Sequence, residues 1–104
     1  MKKIESDKFR SWLNKLKDEK GKARIIARIN RLLEGLPGDT APIGDGISEL
    51  RIHYGPGYRV YFHQQGDVLV ILLCAGDKGS QKRDITTAHQ VLKDWKIYNG
   101  GKLH

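Results

Sequence analysis

One cysteine, three prolines, two phenylalanines and one methionine occur in the 104 residues. Cys74 alone cannot close an internal disulfide, so a hydrophobic core must hold the fold, and this thiol usage suits a reducing compartment such as the cytoplasm. The longest apolar run, Val68 to Ala75, falls far short of the about 20 residues that cross a bilayer. The opening MKKIESDKF turns polar directly after two lysines and lacks the apolar stretch of a secretory signal. Membrane insertion and secretion are therefore not expected. A single cysteine and scattered histidines do not supply the four placed ligands of a zinc site, so neither a metal nor a cofactor is expected. Gly44-Asp45-Gly46 and Gly76-Asp77-Lys78-Gly79-Ser80 match no phosphate-loop or dinucleotide pattern and read as turns.

Acidic residues are also scarce. Twelve Asp and Glu stand against nineteen Lys and Arg, a formal charge of +7, which predicts a polyanionic or acidic partner. The charge is uneven: residues 1–35 carry eleven basic and five acidic side chains, residues 36–74 two and four, and residues 75–104 six and three. Arg51 and Arg59 are the only two cations of the middle segment, which is otherwise rich in apolar residues. With 38% hydrophobic and 30% charged residues, the chain has the makings of one domain, residues 1–104, with one core.

Met1 to Glu5 can form a short edge strand, with Ser6 as the N-cap of a helix carrying Phe9, Trp12, Leu13 and Leu16 on one stripe to about Lys17. Lys17 to Gly21 reads as a turn. A second helix carries Ile25, Ile29, Leu32, Leu33 and Leu36 and stops at Gly35, Pro37 and Gly38. Residues 37–46 are dense in Gly, Pro and Asp and read as a loop. The period then changes to two over Ile47 to His53, and again over Arg59 to His63 after the Gly55-Pro56-Gly57 turn, which predicts a β-hairpin. Gln64 to Asp67 turns the chain into an apolar strand, Val68 to Cys74, covered on both faces. A last helix starts near Gln81 to Asp84, buries Ile85, Ala88, Leu92 and Trp95, and ends at Asn99-Gly100-Gly101. Cys74 is a core residue in this scheme. The order predicts an α+β fold: an N-terminal helical hairpin packed on a small antiparallel sheet, with a C-terminal helix.

The alternation carries the functional expectation. If Leu50, Ile52, Val60 and Phe62 face the helical hairpin, then Arg51, His53, Arg59, Tyr61 and His63 share the other face. Neighbouring strands lie about 4.8 Å apart, so the two arginines could hold one phosphate with planar forks of donors and neutralise charge growing on it. This needs both guanidinium groups to point into one hollow and to stay outside internal salt links; pairing of Arg51 with Glu49 or Asp67 is the plainer use. Histidine is the side chain suited to moving a proton near neutral pH, and His53 could do so here. Arg24, Arg28 and Arg31 make an i, i+4, i+7 stripe that could track a nucleic-acid backbone or be a solvated helix face. Tyr61, Lys82 and Arg83 complete the expected nucleic-acid contacts, and Lys78 follows the end of the central strand beside the arginine face.

Phe9-Arg10-Ser11-Trp12-Leu13, Leu16-Lys17-Asp18, Ala27-Arg28-Ile29, Gly44 to Ile52, Gly55 to Phe62 and Cys74-Ala75-Gly76-Asp77-Lys78 together resemble the addiction-module killer proteins, a HigB-like branch of the RelE/ParE toxin superfamily. The likeness runs from Phe9 to about Trp95. It implies a RelE-like, microbial-RNase-like fold and the toxin of a type II toxin–antitoxin pair. Such a toxin is commonly a ribosome-dependent endoribonuclease that cuts mRNA with the RNA 2′-hydroxyl as nucleophile and without a metal.

In this resemblance Arg59 aligns with an arginine that grips the scissile phosphate. Arg51 falls where basic residues serve charge neutralisation and proton transfer, and Lys78 lies near a second catalytic arginine. The tyrosine that follows in RelE toxins is replaced here by Ile85-Thr86-Thr87, so the proton-transfer role passes to His53. The implied partners are a cognate antitoxin with a DNA-binding helix-turn-helix, the ribosome and its mRNA, and operator DNA through the antitoxin complex. The ParE branch shares the scaffold and inhibits DNA gyrase by binding; a basic nucleic-acid-binding module without chemistry is a third reading.

Overall fold

The computed structural model describes residues 1–99. The expected ending at Gly100-Gly101 and the tail with His104 lie outside those residues. In chain order the elements are β1 (Lys2–Glu5), α1 (Asp7–Lys15), α2 (Glu19–Leu33), β2 (Thr40–Gly44), β3 (Ile47–Ile52), β4 (Tyr58–Gln65), β5 (Leu69–Gly76), one 3-10 turn (Lys78–Ser80) and α3 (Gln81–Asn99). The five strands form one sheet in the order β1-β5-β4-β3-β2.

Local chemistry fixes the helix ends. Ser6 caps α1: its Oγ accepts from the Phe9 N–H at 3.0 Å and donates to the Leu73 carbonyl at 2.6 Å, tying the helix start to β5. Asp18 caps α2 by accepting from the Gly21 N–H at 3.0 Å, so the turn expected through Gly21 is shorter than its composition suggests. At the other end Gly35 takes a left-handed φ of 84°. The Gly35 N–H donates to Leu32 O at 3.0 Å and the Leu36 N–H to Arg31 O at 2.9 Å, the paired bonds of a Schellman ending.

The sheet differs from the expected one in two respects. It is mixed, because β1 runs parallel to β5, Lys2 opposite Leu69. It also holds a strand within the expected loop: β2 pairs antiparallel with β3, Thr40 opposite Leu50. Pro42 lacks an N–H, so the strand can lie only at an edge, and its composition hides it. The turn from β2 into β3 has φ values of 102°, 55° and 76° at Gly44, Asp45 and Gly46, which is why glycines flank the aspartate.

Both faces of the sheet are covered. Phe9 of α1 and Ile25, Ile29 and Leu32 of α2 pack with Leu50, Ile52, Val60, Phe62, Val70 and Leu72 on one face. Ala88 and Leu92 of α3 pack with Ile47, Tyr61, Ile71, Leu73 and Cys74 on the other. The alternation therefore sorts residues between faces as expected, yet the second face is a core layer beneath α3. Cys74 is buried as expected, and burial pushes its thiol up to about 12. At the end of β5 Gly76 gives room to α3: a Cβ there would stand 1.9 Å from Asp84 Oδ2 and 2.6 Å from Ser80 Oγ. No helix among the described residues is long and apolar enough to cross a membrane.

The start of α2 is pinned to the β3–β4 turn by Tyr58, whose hydroxyl donates to Asp18 Oδ2 at 2.7 Å. Trp12 meets the Tyr58 ring edge-on, 5.9 Å between centroids. Backbone donation from Gly21, then the Tyr58 bond, holds the Asp18 carboxyl below its usual range, while burial and then Asp18 raise the Tyr58 phenol to about 12. The protonated phenol belongs to the folded state. Its stabilisation is complete below the ordinary tyrosine value of 10.0 and is lost as pH rises to about 12. Urea denaturation at stepped pH should show the wild type losing stability across pH 10 to 12 more steeply than Tyr58→Phe; parallel curves would deny the pin its role.

Candidate functional site

β3 and β4 are registered so that Arg51 stands directly opposite Arg59, and Glu49 directly opposite Tyr61. All four side chains project from the face that α3 covers, which brings the two guanidinium groups to the carboxylate between them. Arg59 Nη1 donates to Glu49 Oε2 at 2.8 Å, and Arg51 Nε donates to the same oxygen at 3.0 Å. Gln81, at the start of α3, donates its amide to Glu49 Oε1 at 3.0 Å. Glu49 is only 2% exposed, whereas the side chains of Arg59 and Arg51 are 16% and 38% exposed. A carboxylate so far from water is tolerable only with its charge compensated, and two charge-assisted bonds plus an amide achieve this.

The shared direction of Arg51 and Arg59 is as expected, but their freedom is not. Both are held in internal salt links to Glu49, so the hollow is a two-cation, one-anion cluster and not a pocket of unpaired guanidinium groups. Asp39 adds a second, longer link to Arg51 at 3.8 Å. Asp39 also lies 2.5 Å from Nε2 of the exposed His53, and that hydrogen bond is the main cause holding its carboxyl below the usual range. An ionised Asp39 can only accept, so Nε2 carries the proton, and Nδ1 of a neutral ring is the acceptor.

The other expected contacts divide sharply. Tyr61 is fully buried in the α3 layer and is no nucleic-acid contact: its ring fills the core opposite Glu49 and Cys74, and burial pushes its phenol well above the ordinary range. Its hydroxyl and the Arg59 Nε are both buried without a partner. Arg28 is committed to the fold, donating to the Arg51 carbonyl and, at 3.0 Å, to the Pro37 carbonyl. Arg24 lies over the Tyr54 ring, 4.5 Å from its centroid, and Arg31 is exposed on α2. Lys78 is exposed in the 3-10 turn, its backbone N–H directed at the Pro56 carbonyl of the β3–β4 turn at 3.5 Å. Lys82 and Arg83 are exposed on the first turn of α3, next in sequence to the Gln81 that binds Glu49. His63 bonds the Gly46 carbonyl at 2.8 Å.

The pairing of Arg51 with Glu49, the plainer use expected of that arginine, is the one observed; Gln81 is the member of the cluster that the sequence does not rank. The signal for Glu49 was its alternation with Arg51; that for Gln81 required knowing how α3 crosses the sheet. Glu49→Leu would leave two arginines without their shared anion, and should cost about 3–5 kcal/mol. Urea denaturation checks this, and an unchanged midpoint would show the links to be incidental.

The profile of the Gp49-like phage-derived proteins (DUF891) matches residues 11–93, a span that includes the whole cluster. An uncharacterized protein of Haemophilus influenzae (strain Rd) is 58% identical over 80 residues, covering 77% of this chain and 81% of that protein. With a profile spanning α1 to α3 and enclosing the Glu49 cluster, this chain belongs to the Gp49-like phage-derived family, a toxin-like family of addiction-module killer proteins.

Proposed function

We propose that the chain is a cytoplasmic toxin of a type II toxin–antitoxin pair, HigB-like and of the RelE/ParE kind, acting as a ribosome-dependent, metal-independent mRNA endoribonuclease. Membership of a toxin-like family supports the toxin reading and a cognate antitoxin. The observation that supports RNA as target is the meeting of α3 with the arginine pair. Through Gln81 the helix start touches Glu49, and this sets exposed Lys78, Lys82 and Arg83 at the same end of the sheet as Arg51 and Arg59. With Asp39 counted, the two arginines meet two carboxylates, so the surplus positive charge at this end comes from Lys78, Lys82 and Arg83. Arg51 gives its Nε to Glu49 and its Nη1 lies 3.8 Å from Asp39, so a phosphate would take the outer N–H groups in competition with that longer link.

In the proposed reaction the RNA 2′-oxygen bonds to the adjacent phosphorus while the P–O5′ bond breaks, leaving a cyclic phosphate and a 5′-hydroxyl. His53 Nδ1 takes the 2′-hydroxyl proton, and the 5′-oxygen takes one from solvent. The links to Glu49 break the condition that both guanidinium groups stay outside internal salt links. This reaction therefore requires the phosphate to compete with Glu49 and Asp39 for the Arg51 fork. The same links favour a second reading, gyrase inhibition by binding alone, because they cancel charge that a nuclease would use.

Arg59→Ala should keep antitoxin binding, abolish toxicity and slow mRNA cleavage, read by primer extension on translating ribosomes, by about 10²–10³-fold. A fully toxic variant would take Arg59 out of the mechanism. Intact mRNA together with blocked DNA supercoiling would establish the gyrase reading.

A further inference from the structure

One concavity is remote in role from the arginine cluster. A groove of about 870 Å³ runs between α3 and the β2–β3 turn. Ile47, Leu92 and Ile85 line it, Ile97 stands 73% exposed along it, and Lys93 and Lys96 edge it. Its volume lies in the upper part of the range for pockets that bury a ligand. From Ile85 to Lys96 the α3 wall extends about 16 Å at the helical rise, the length of three turns of a partner helix. The acid at the opposite lip, Asp45, is exposed, with Oδ2 3.4 Å from His89 Nε2, and Lys93 and Lys96 outnumber it on the rim.

We propose that this groove seats an amphipathic helix of the cognate antitoxin, with its apolar stripe on Ile85 and Ile97 and its carboxylates on Lys93 and Lys96. The inference rests on the toxin–antitoxin reading and adds to it the place and chemistry of the contact. A helix with residues at i, i+3, i+4 and i+7 suits an apolar trough of this length. Acidic flanks suit its lysine edge and the +7 charge of the chain. Nucleic acid would satisfy the lysines but leave the isoleucines unmatched, and a second copy of this chain would bring more lysines to the rim.

Titration calorimetry of the purified full chain with its purified antitoxin tests this, comparing wild type with K93E/K96E and, separately, with I97D. All three positions are exposed, and thermal melts of each variant confirm that the fold is kept. The expected result is a Kd raised roughly 10- to 100-fold in each variant, with wild-type affinity weakening as salt increases. Unchanged Kd values in both variants would overturn the docking site and leave the toxin–antitoxin reading standing. Failure of the wild type to bind the antitoxin would sink both. Self-association of the free chain that I97D abolishes, or loss of RNA binding with antitoxin binding intact, would assign the groove to another occupant and overturn the proposal.

Discussion

The buried carboxylate of Glu49 is the constraint around which this end of the molecule is arranged. It is nearly removed from water, and such a charge persists only with close, well-aligned donors. Those donors come from β3, β4 and α3. One anion therefore links two adjacent strands to the helix that crosses them, and the requirement to satisfy it fixes where α3 begins. Ser80, just before α3, and Asp84, in its first turn, add a second anchor in the space that Gly76 leaves open. The arginines are structural and exposed in different proportions: Arg59 is largely interior, whereas Arg51 keeps an edge in solvent.

The basic residues, so prominent in the composition, separate into two populations once folded. Arg28 reaches across from α2 to carbonyls at Arg51, Pro37 and Asp39, bracing the segment that leads into β2. Arg24 stacks on Tyr54. These two members of the helical stripe therefore serve packing, while Arg31, Lys78, Lys82 and Arg83 face water. A net charge says how many cations exist; only the contacts decide which are available to a partner.

The strongly periodic segments were legible from residues alone. Ser6 is a cap, Ile25, Ile29 and Leu32 are a buried stripe, and Leu50, Ile52, Val60 and Phe62 share the face under α1 and α2. What failed to read was non-local. β2 carries Pro and Gly that oppose a strand by propensity and becomes one only because β3 offers it an edge. Tyr61 was placed on the correct face, but alternation cannot say whether water or a helix covers that face, and α3 lies over it. Alternation offers Glu49 as a partner for Arg51, but that Arg59 shares it and that it is buried depend on α3.

The pairing of β1 with β5 joins the first strand of the chain to one whose residues come much later. Ser6 bonds a carbonyl 67 positions downstream, and Lys2 to Glu5 are registered against Leu69 to Leu72. During synthesis the strand Lys2–Glu5 has nothing to dock on until Leu69 to Leu72 have left the ribosome. β4, likewise, gains its second neighbour only then. Sheet closure is thus deferred to a late, high-contact-order step, and nascent fragments lacking β5 lack the platform on which α1 is capped. Fragments that stop before α3 also lack Gln81, so the Glu49 cluster assembles only after the sheet has closed.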